Sequence, residues 1–179
     1  MSPAPAATRR LVLVLGGARS GKSRHAERLI EAQSPPYAYI ATAQALDSEM
    51  TLRIAVHRDR RDGRWHSYDA PFDAAAQLDA HPSHQPVLLD CLTLWLTNHL
   101  LADADLEAVS AELCDALARR EGLTVVVSNE VGLGIVPDNA LARRFRDAAG
   151  RLNQKVAQAA DEVIFMVAGL PMVVKSSGS

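Results

Sequence analysis

Short apolar runs alternate along the chain with longer segments of helical periodicity. The runs are nearly continuous in hydrophobicity and rich in branched residues, as expected of strands buried on both faces. They cover residues 11–15, 37–41, 86–90, 124–128 and 162–168. The helical segments cover residues 22–33, 47–62, 71–79, 92–120 with a break near Asp103, and 138–160. This alternation predicts a three-layer α/β fold, with a mostly parallel sheet and helices on both faces.

The length of the chain favours a single domain. A chain of 179 residues is sufficient for one domain with a substantial core. We predict that this domain covers residues 11–175 and that the tails, 1–10 and 176–179, are disordered. No apolar run approaches the roughly 18 residues of a membrane-spanning helix, so we predict no membrane span.

The composition is that of an ordinary globular protein. Hydrophobic residues make up 48% and charged residues 22%, and the formal net charge is -2. This charge gives no reason to expect nucleic acid or an anionic membrane as a partner, and the 4% of aromatic residues argues against stacking on bases. Cys91 and Cys114 lack the spacing of metal ligands or disulfide frameworks, which favours reduced thiols and a cytoplasmic location.

The segment GGARSGKS, residues 16–23, matches the phosphate-binding loop pattern G-x-x-x-x-G-K-[ST]. It follows a predicted buried strand and opens a predicted helix, which favours this loop over a glycine-rich turn with an exposed lysine. Its backbone N–H groups and the helix N-terminus can face an anion. Lys22 can reach the outer phosphates, and the Ser23 hydroxyl can ligate Mg²⁺. The glycines that let the backbone wrap closely are Gly16, Gly17 and Gly21.

An acidic residue, Asp90, ends the predicted strand PVLLD, where this class of fold places a carboxylate beside Mg²⁺. A helix cap or a turn residue is the alternative for an aspartate after an apolar run. The chain contains neither the N-K-x-D motif of common GTPases nor the L-S-G-G-Q signature of transporters. Small-molecule phosphoryl transfer is therefore the leading class, ahead of motors and switch GTPases.

The segment from Asp47 to Trp65 is rich in arginine and contains one histidine. Arg53, His57 and Arg61 are spaced i, i+4, i+8, which puts them on one face of a helix. Spacing alone favours a solvated basic face with an incidental histidine. The alternative is a polyphosphate grip in which a neutral imidazole attacks the α-phosphate of a nucleoside triphosphate and forms a nucleotidyl-histidine.

The sequence resembles the bifunctional adenosylcobinamide kinase/adenosylcobinamide-phosphate guanylyltransferase family of cobalamin biosynthesis. The resemblance extends from about Leu11 to Lys175, and its most specific parts are RIAVH (53–57) and VSNEVGLGIVPDN (127–139). The other segments are GGARSGKSRHAE (16–27), YIATAQALDSEM (39–50), LLDCLTLWLTN (88–98), FRDAAGRLNQKVAQAADEV (145–163) and VAGLP (167–171).

The resemblance implies a RecA-like P-loop fold with an antiparallel strand at one edge of the sheet, and a homo-oligomer. It also implies two reactions. ATP or GTP phosphorylates the aminopropanol hydroxyl of adenosylcobinamide. GTP then transfers GMP through a histidine intermediate to adenosylcobinamide phosphate, which gives adenosylcobinamide-GDP and pyrophosphate. A single-activity small-molecule P-loop kinase with a structural His57 is the alternative function.

The resemblance also implies roles for particular residues. His57 matches the family's nucleophile, Lys22 acts on the phosphates, and Asp90 matches the acidic strand end that binds Mg²⁺ with Ser23. Asp69 stands where the family usually has glutamate, so its carboxylate reaches one methylene less far. The implied nucleotide contacts are Gly16, Gly17, Ala18, Arg19, Ser20, Gly21, Lys22, Ser23, Ala41, Thr42, Ala43, Arg58, Asp59, Arg60, Arg61 and Asp69.

Two polar residues directly follow the predicted strand TVVVS, at the end where α/β sheets bind ligands. They are Asn129 and Glu130. They either position the acceptor or a metal ion, or form a turn whose polar groups bond each other.

Overall fold

The computed structural model of the chain describes residues 8–176, with Arg53 described by its backbone alone. The strands are β1 (Arg10–Gly16), β2 (Tyr37–Ala41), β3 (Trp65–Asp69), β4 (Val87–Asp90), β5 (Leu123–Asn129), β6 (Glu162–Val167) and β7 (Leu170–Lys175). The helices are α1 (Lys22–Glu31), α2 (Ser48–Asp59), α3 (Ala74–Ala80), α4 (Leu92–Leu101), α5 (Leu106–Arg119) and α6 (Ala140–Ala159).

The strands form one seven-stranded sheet in the order β3-β2-β4-β5-β1-β6-β7. Every neighbouring pair is parallel except β6 and β7, which are antiparallel. Alternate side chains of β1 pack against helices on opposite faces of the sheet, which gives the three layers. Leu11 and Leu13 pack with α3 to α6 on one face, whereas Val12 and Val14 pack with α1 on the other. The predicted three-layer α/β fold, its mostly parallel sheet and its antiparallel edge are confirmed.

The two strands without a predicted counterpart lie at the two edges of the sheet. β3 reads WHSYD and buries only Trp65 fully, so it lacks the continuous apolar run of a central strand. β7 is exposed along its whole length. It returns beside β6 through a hairpin at Ala168 and Gly169, both of which have positive φ angles. Its sequence, LPMVVK, is apolar, but no helical segment separates it from the apolar run of β6.

The predicted break near Asp103 is confirmed. Asp103 has a left-handed φ of 53°, which separates α4 from α5. Asp105 then begins α5, because its side chain accepts hydrogen bonds from the N–H groups of Glu107 and Ala108.

The predicted N-terminal tail, residues 1–10, overlaps the start of the first strand. Arg10 already belongs to β1. Arg9 forms an ion pair with Asp161, with 3.2 Å between Nη1 and Oδ1, and the other oxygen of Asp161 accepts the Leu11 N–H at 2.7 Å. This aspartate therefore fixes the start of β1 against the end of α6. Residues 1–7 and 177–179 lie outside the described residues, so disorder there stays a prediction.

Within residues 8–176, no helix combines the length and the apolar character needed to cross a membrane.

The sheet brings the candidate residues together at the carboxyl ends of its parallel strands. In its register, Ala41 lies opposite both Asp69 and Asp90 in the neighbouring strands, and Gly16 lies opposite Asn129. These residues all end parallel strands, and the carboxyl ends of parallel strands are where α/β sheets bind ligands.

Candidate phosphate-binding and nucleotidyl-transfer site

The loop between β1 and α1 requires glycine at two of its three predicted positions. Gly21 has a left-handed φ of 94° directly before α1. A Cβ on Gly16 would lie 2.5 Å from Ser20 Oγ and 2.8 Å from the backbone oxygen of Met166. A Cβ on Gly17 would meet nothing within 4 Å. The close wrapping of the loop therefore depends on Gly16 and Gly21.

Lys22 is buried inside this loop. Its Nζ donates a hydrogen bond to the carbonyl oxygen of Gly17 at 2.5 Å. Burial lowers the pKa of the Lys22 ammonium, while Cys91 and the carboxylate of Asp90 act in the opposite direction. The cationic group is thus held at the start of α1, where the loop's N–H groups and the helix N-terminus favour an anion.

Two cavities adjoin the phosphate loop, one on each side of α2. The strand-end cavity, of about 220 Å³, lies at the carboxyl ends of the strands, and Met50 and Ile54 of α2 also line it. Its polar lining residues are Ser23, Tyr39, His57, Arg58, Arg61, Ser67, Asp69, Asp90 and Asn129.

The second cavity, the phosphate cleft, has a volume of about 630 Å³ and lies between the phosphate loop and α2. It is lined by Arg19, Ser20, Gly21, Lys22, Ser23, Arg24, Glu49, Leu52, Val56, His57 and Arg60. Ser23 and His57 line both cavities. The histidine predicted as nucleophile and the serine predicted as Mg²⁺ ligand are thus brought to the same place from separate helices.

His57 accepts a hydrogen bond from an arginine of its own segment. Arg60 Nη2 lies 2.9 Å from His57 Nδ1. A guanidinium group has only donors, so Nδ1 must be the acceptor and carries no proton in this arrangement. The same Nη2 lies 3.6 Å from Oε1 of Glu27 on α1. Arg60 therefore connects the helix of the phosphate loop to the candidate nucleophile.

A second arginine lies over an aromatic ring beside Asp90. The guanidinium carbon of Arg61 is 3.6 Å from the centre of the Tyr39 ring, and the Tyr39 hydroxyl donates to Asp90 Oδ2. Burial and then the charge of Asp90 raise the pKa of Tyr39 well above its ordinary value, so the phenol remains a donor. Tyr39 is not among the site residues predicted from the sequence. The signal was a tyrosine two residues before the end of a buried strand, within the segment YIATA.

Thr42, a predicted nucleotide contact, is fully buried. Its hydroxyl donates to the carbonyl of Cys91 at 2.7 Å and accepts the Cys91 N–H at 2.8 Å. Its carbonyl accepts Nδ2 of Asn98 at 2.9 Å. The side chain therefore points into the protein and anchors the loop, while Ala41 and Ala43 line the strand-end cavity.

Four other predicted contacts line neither cavity. One is Asp59, which is exposed at the end of α2. The other three belong to the phosphate loop and do not line either cavity: Gly16, Gly17 and Ala18. The side chain of Arg53 lies outside the description, so its place on the His57 face stays a prediction.

Asn129 and Glu130 have different surroundings. Asn129 lines the strand-end cavity beside Asp90, and its N–H and Nδ2 both donate to the hydroxyl oxygen of Thr93. Glu130 Oε1 instead accepts the N–H of Gly132 at 2.6 Å. Asn129 is thus in a position to meet a ligand, whereas Glu130 stabilises a turn.

This fold and this site define a P-loop nucleotide-binding protein. Solved structures with a similar fold include the flagellar accessory protein FlaH of Methanocaldococcus jannaschii, with a TM-score of 0.54 and 12% identity over 97% of this chain and 83% of that chain. An ATPase of the type III secretion system of pathogenic bacteria gives a TM-score of 0.57 and 11% identity over 95% of this chain and 57% of that chain. At these identities the likeness concerns the fold alone.

The sequence comparison is more specific. A family model described as cobinamide kinase / cobinamide phosphate guanyltransferase matches residues 12–174. The bifunctional adenosylcobalamin biosynthesis protein CobP of Pseudomonas aeruginosa is 49% identical over 166 residues, 91% of this chain and 96% of the relative. Its counterpart CobU of Salmonella typhimurium is 43% identical over 182 residues, 92% of this chain and 99% of the relative. The chain belongs to this family of bifunctional enzymes, and the resemblance read from the sequence is confirmed.

Proposed function

We propose that one nucleotide site serves both activities, and that His57 carries GMP from GTP to adenosylcobinamide phosphate. The observation that carries this proposal is the position of His57. It lines the phosphate cleft together with Lys22, and it lines the strand-end cavity together with Asp90. A single-activity kinase would have no need of a histidine at the junction of the two cavities.

In the kinase step, the phosphate loop holds ATP or GTP, with Lys22 at the outer phosphates. The aminopropanol hydroxyl of adenosylcobinamide attacks the γ-phosphorus, the bond to the β–γ bridging oxygen breaks, and the hydroxyl proton passes to solvent. Catalysis of such transfers depends mainly on positioning and on stabilising the developing charge. The buried ammonium of Lys22 can supply this stabilisation from within the loop.

Ser23 and Asp90 suit a Mg²⁺ ion bound together with the nucleotide. Both line the strand-end cavity, one with a hydroxyl and the other with a carboxylate. Oxygen ligands of this kind are those that Mg²⁺ prefers, and it commonly takes only one or two from the protein. The described residues contain no cluster of three acidic, histidine or cysteine side chains for a metal ion. When bound, Mg²⁺ offsets the negative charge of the phosphates.

In the guanylyl step, His57 attacks the α-phosphorus of GTP with the lone pair of a ring nitrogen. The bond to the α–β bridging oxygen breaks and pyrophosphate leaves. A phosphate oxygen of adenosylcobinamide phosphate then attacks the same phosphorus and releases His57. Arg58, Arg60 and Arg61 belong to the same segment and line one or the other cavity, so they can offset the charge of pyrophosphate.

Thr42 takes a different role in this proposal. We assign it to fixing the loop after β2, because its hydroxyl and carbonyl are engaged inside the protein. Contacts from this loop to the nucleotide then come from Ala41 and Ala43.

We further propose a cytoplasmic homo-oligomer. Both cysteines are free thiols, which suits a reducing compartment. The edge strand β7 exposes Leu170, Met172, Val173 and Val174, and an exposed apolar edge strand is typical of an interface. Light scattering should give the mass of more than one chain for the wild type and a lower mass for Met172→Glu. A monomeric wild type would contradict this part of the proposal.

The test of the histidine intermediate is labelling with GTP that carries the label in its α-phosphate. We expect a protein-bound label that survives base, is lost in acid and discharges when adenosylcobinamide phosphate is added. His57→Ala should abolish this label and keep the kinase activity. His66→Ala, which changes an exposed histidine of β3, is the matched control and should label normally. Full labelling of His57→Ala would show that the assignment is wrong.

A further inference from the structure

We propose that Glu27 is a positioning residue for guanylyl transfer, which acts through Arg60 on Nδ1 of His57. This inference rests on the proposed role of His57 as the nucleophile. It concerns a side chain of the phosphate-loop helix that has no part in the two reactions described above.

Glu27 is placed to connect the nucleotide site with the nucleophile. It lies on α1 four residues after Ser23, so the two share one face of the helix. Its side chain is buried, and Oε1 lies 3.6 Å from Arg60 Nη2. Arg60 is the C-cap residue that directly follows α2, three positions after His57. The pair therefore joins two helices that adjoin the phosphate cleft from opposite sides.

The surroundings of Glu27 make Arg60 its main source of charge compensation. Burial raises the pKa of the Glu27 carboxyl, whereas the charges of Arg60 and then Arg61 act to lower it. Within residues 8–176, Oε1 of Glu27 is a buried oxygen that accepts no hydrogen bond. A buried carboxylate of this kind is strongly destabilised when its cationic partner moves away. Glu27 thus favours the conformation of Arg60 that keeps the guanidinium near α1.

In that conformation the guanidinium also determines the state of the histidine. Arg60 Nη2 donates to His57 Nδ1, so the neutral ring carries its proton on Nε2 and keeps the lone pair on Nδ1. An unprotonated ring is the form that can attack phosphorus. When triphosphate binds, its oxygens compete for the guanidinium. Arg60 then passes from Nδ1 to the departing pyrophosphate, and the Nδ1 lone pair forms the bond to the α-phosphorus.

The same helix supplies a matched control. Glu31 lies one turn further along the face of Glu27. Its Oε1 accepts Trp65 Nε1 at 3.2 Å and lies 3.6 Å from Nη2 of Arg64. Glu31 thus pairs with an arginine at the same distance as Glu27 does. Among the described residues, no hydrogen bond or ion pair connects Glu31 or Arg64 to His57. A change at Glu31 tests the general effect of losing a carboxylate from α1.

The experiment compares Glu27→Gln with Glu31→Gln in three measurements. At saturating GTP, we expect the rate constant for labelling of His57 from α-labelled GTP to fall about tenfold in Glu27→Gln, as for a misplaced catalytic group. The kinase rate with ATP should stay within about twofold, because that step does not use His57. ¹⁵N NMR of the His57 ring should show a smaller fraction of the tautomer with its proton on Nε2. Glu31→Gln should leave all three unchanged.

A double-mutant cycle tests the route through Arg60. In the Arg60→Gln background, Glu27→Gln should cause no further fall in the labelling rate, because the two residues act as one unit. Additive effects, an unchanged labelling rate, or an equal fall in the kinase rate would each overturn the inference. Failure of the proposed function itself is distinguishable, since His57→Ala would then retain its label whatever Glu27 does.

Discussion

The Tyr39 hydroxyl donates a hydrogen bond to Asp90 Oδ2 across 3.2 Å. Tyr39 lies on β2 and Asp90 ends the neighbouring β4, so the bond joins two adjacent strands at the site. It occupies one oxygen of the carboxylate and restricts how Asp90 can turn. The Arg61 guanidinium covers the same ring, so this contact also connects Asp90 to the basic end of the α2 segment.

The Tyr39–Asp90 bond should affect the metal-dependent step. In Tyr39→Phe we expect the kinase kcat to fall about threefold to tenfold, because supporting hydrogen bonds orient metal ligands. The Mg²⁺ concentration for half-maximal rate should rise as well. Tyr37→Phe is the control, since that hydroxyl donates to Gln33 at the opposite end of the strand. A Mg²⁺ titration of both variants checks this, and an equal response from the two would refute the role of the bond.

The anchor of Thr42 should matter for stability and for nucleotide binding. Asn98→Leu removes the donor to the carbonyls of Thr42 and Pro71, each at 2.9 Å. Buried carbonyls without a partner should lower the free energy of unfolding by about 1–3 kcal/mol, and KM for the nucleotide should increase. Urea unfolding and initial rates measure these effects. Thr97→Val, which removes a hydroxyl bonded to its own helix, should change KM little. A normal KM in Asn98→Leu would argue against the anchoring role.

The two adjacent glycines of the phosphate loop should respond differently to alanine. In Gly16→Ala the new methyl group meets a backbone oxygen at 2.8 Å, so the loop must move, and we expect a loss of about 1–3 kcal/mol of stability. Nucleotide binding should weaken with it. Gly17→Ala adds a methyl group in open space, so its free energy of unfolding should stay within about 0.5 kcal/mol of the wild-type value. Thermal unfolding and nucleotide titration of both variants test the difference, which would disappear if the loop adapts freely.

Cys91 should make stability depend on pH in the alkaline range. Burial, and then the charge of Asp90, raise the pKa of its thiol from 9.0 to about 12. Above pH 9.0 the unfolded thiol ionises while the folded thiol stays neutral, so the unfolded state is favoured as the pH rises. The contribution of the neutral Cys91 thiol to the free energy of unfolding is fully present below the pKa of the thiol in the unfolded chain. It decreases by about 1.4 kcal/mol per pH unit until the pH reaches the pKa of the thiol in the folded protein. We expect unfolding free energies of wild type and Cys91→Ala to diverge in slope between about pH 9 and 10.5. Parallel slopes would contradict this.

The central strands and the phosphate loop could be predicted because their determinants are local. β1, β2, β4, β5 and β6 are buried on both faces or nearly so, and burial requires a run of apolar residues that the sequence displays directly. The edge strand β3 could not be read in this way, since WHSYD has no continuous apolar run. β7 is apolar but exposed, and it follows β6 after only Ala168 and Gly169, so no helical segment separates the two apolar runs.

The residues of the candidate site also fall into those that the sequence predicts and those that it does not. Lys22, Ser23, His57 and Asp90 could be selected from the sequence, because a short motif, a strand end or a family segment marks each of them. Tyr39 and Glu27 could not, because their partners, Asp90 and Arg60, are 51 and 33 positions away along the chain. Thr42 illustrates the reverse case, in which a segment marked the position and the fold turned the side chain inward.

The sequence by itself determined the class of fold, the family and the identity of the chemical groups. These depend on periodicity and on residue types at fixed spacing, which any single chain displays. Only the tertiary structure decided which groups meet. The parallel register brings Gly16, Ala41, Asp69, Asp90 and Asn129 to one edge, and the packing of α2 beside α1 places Arg60 between Glu27 and His57. Such contacts are set by the geometry of whole elements, since distance along the chain gives no measure of distance in space.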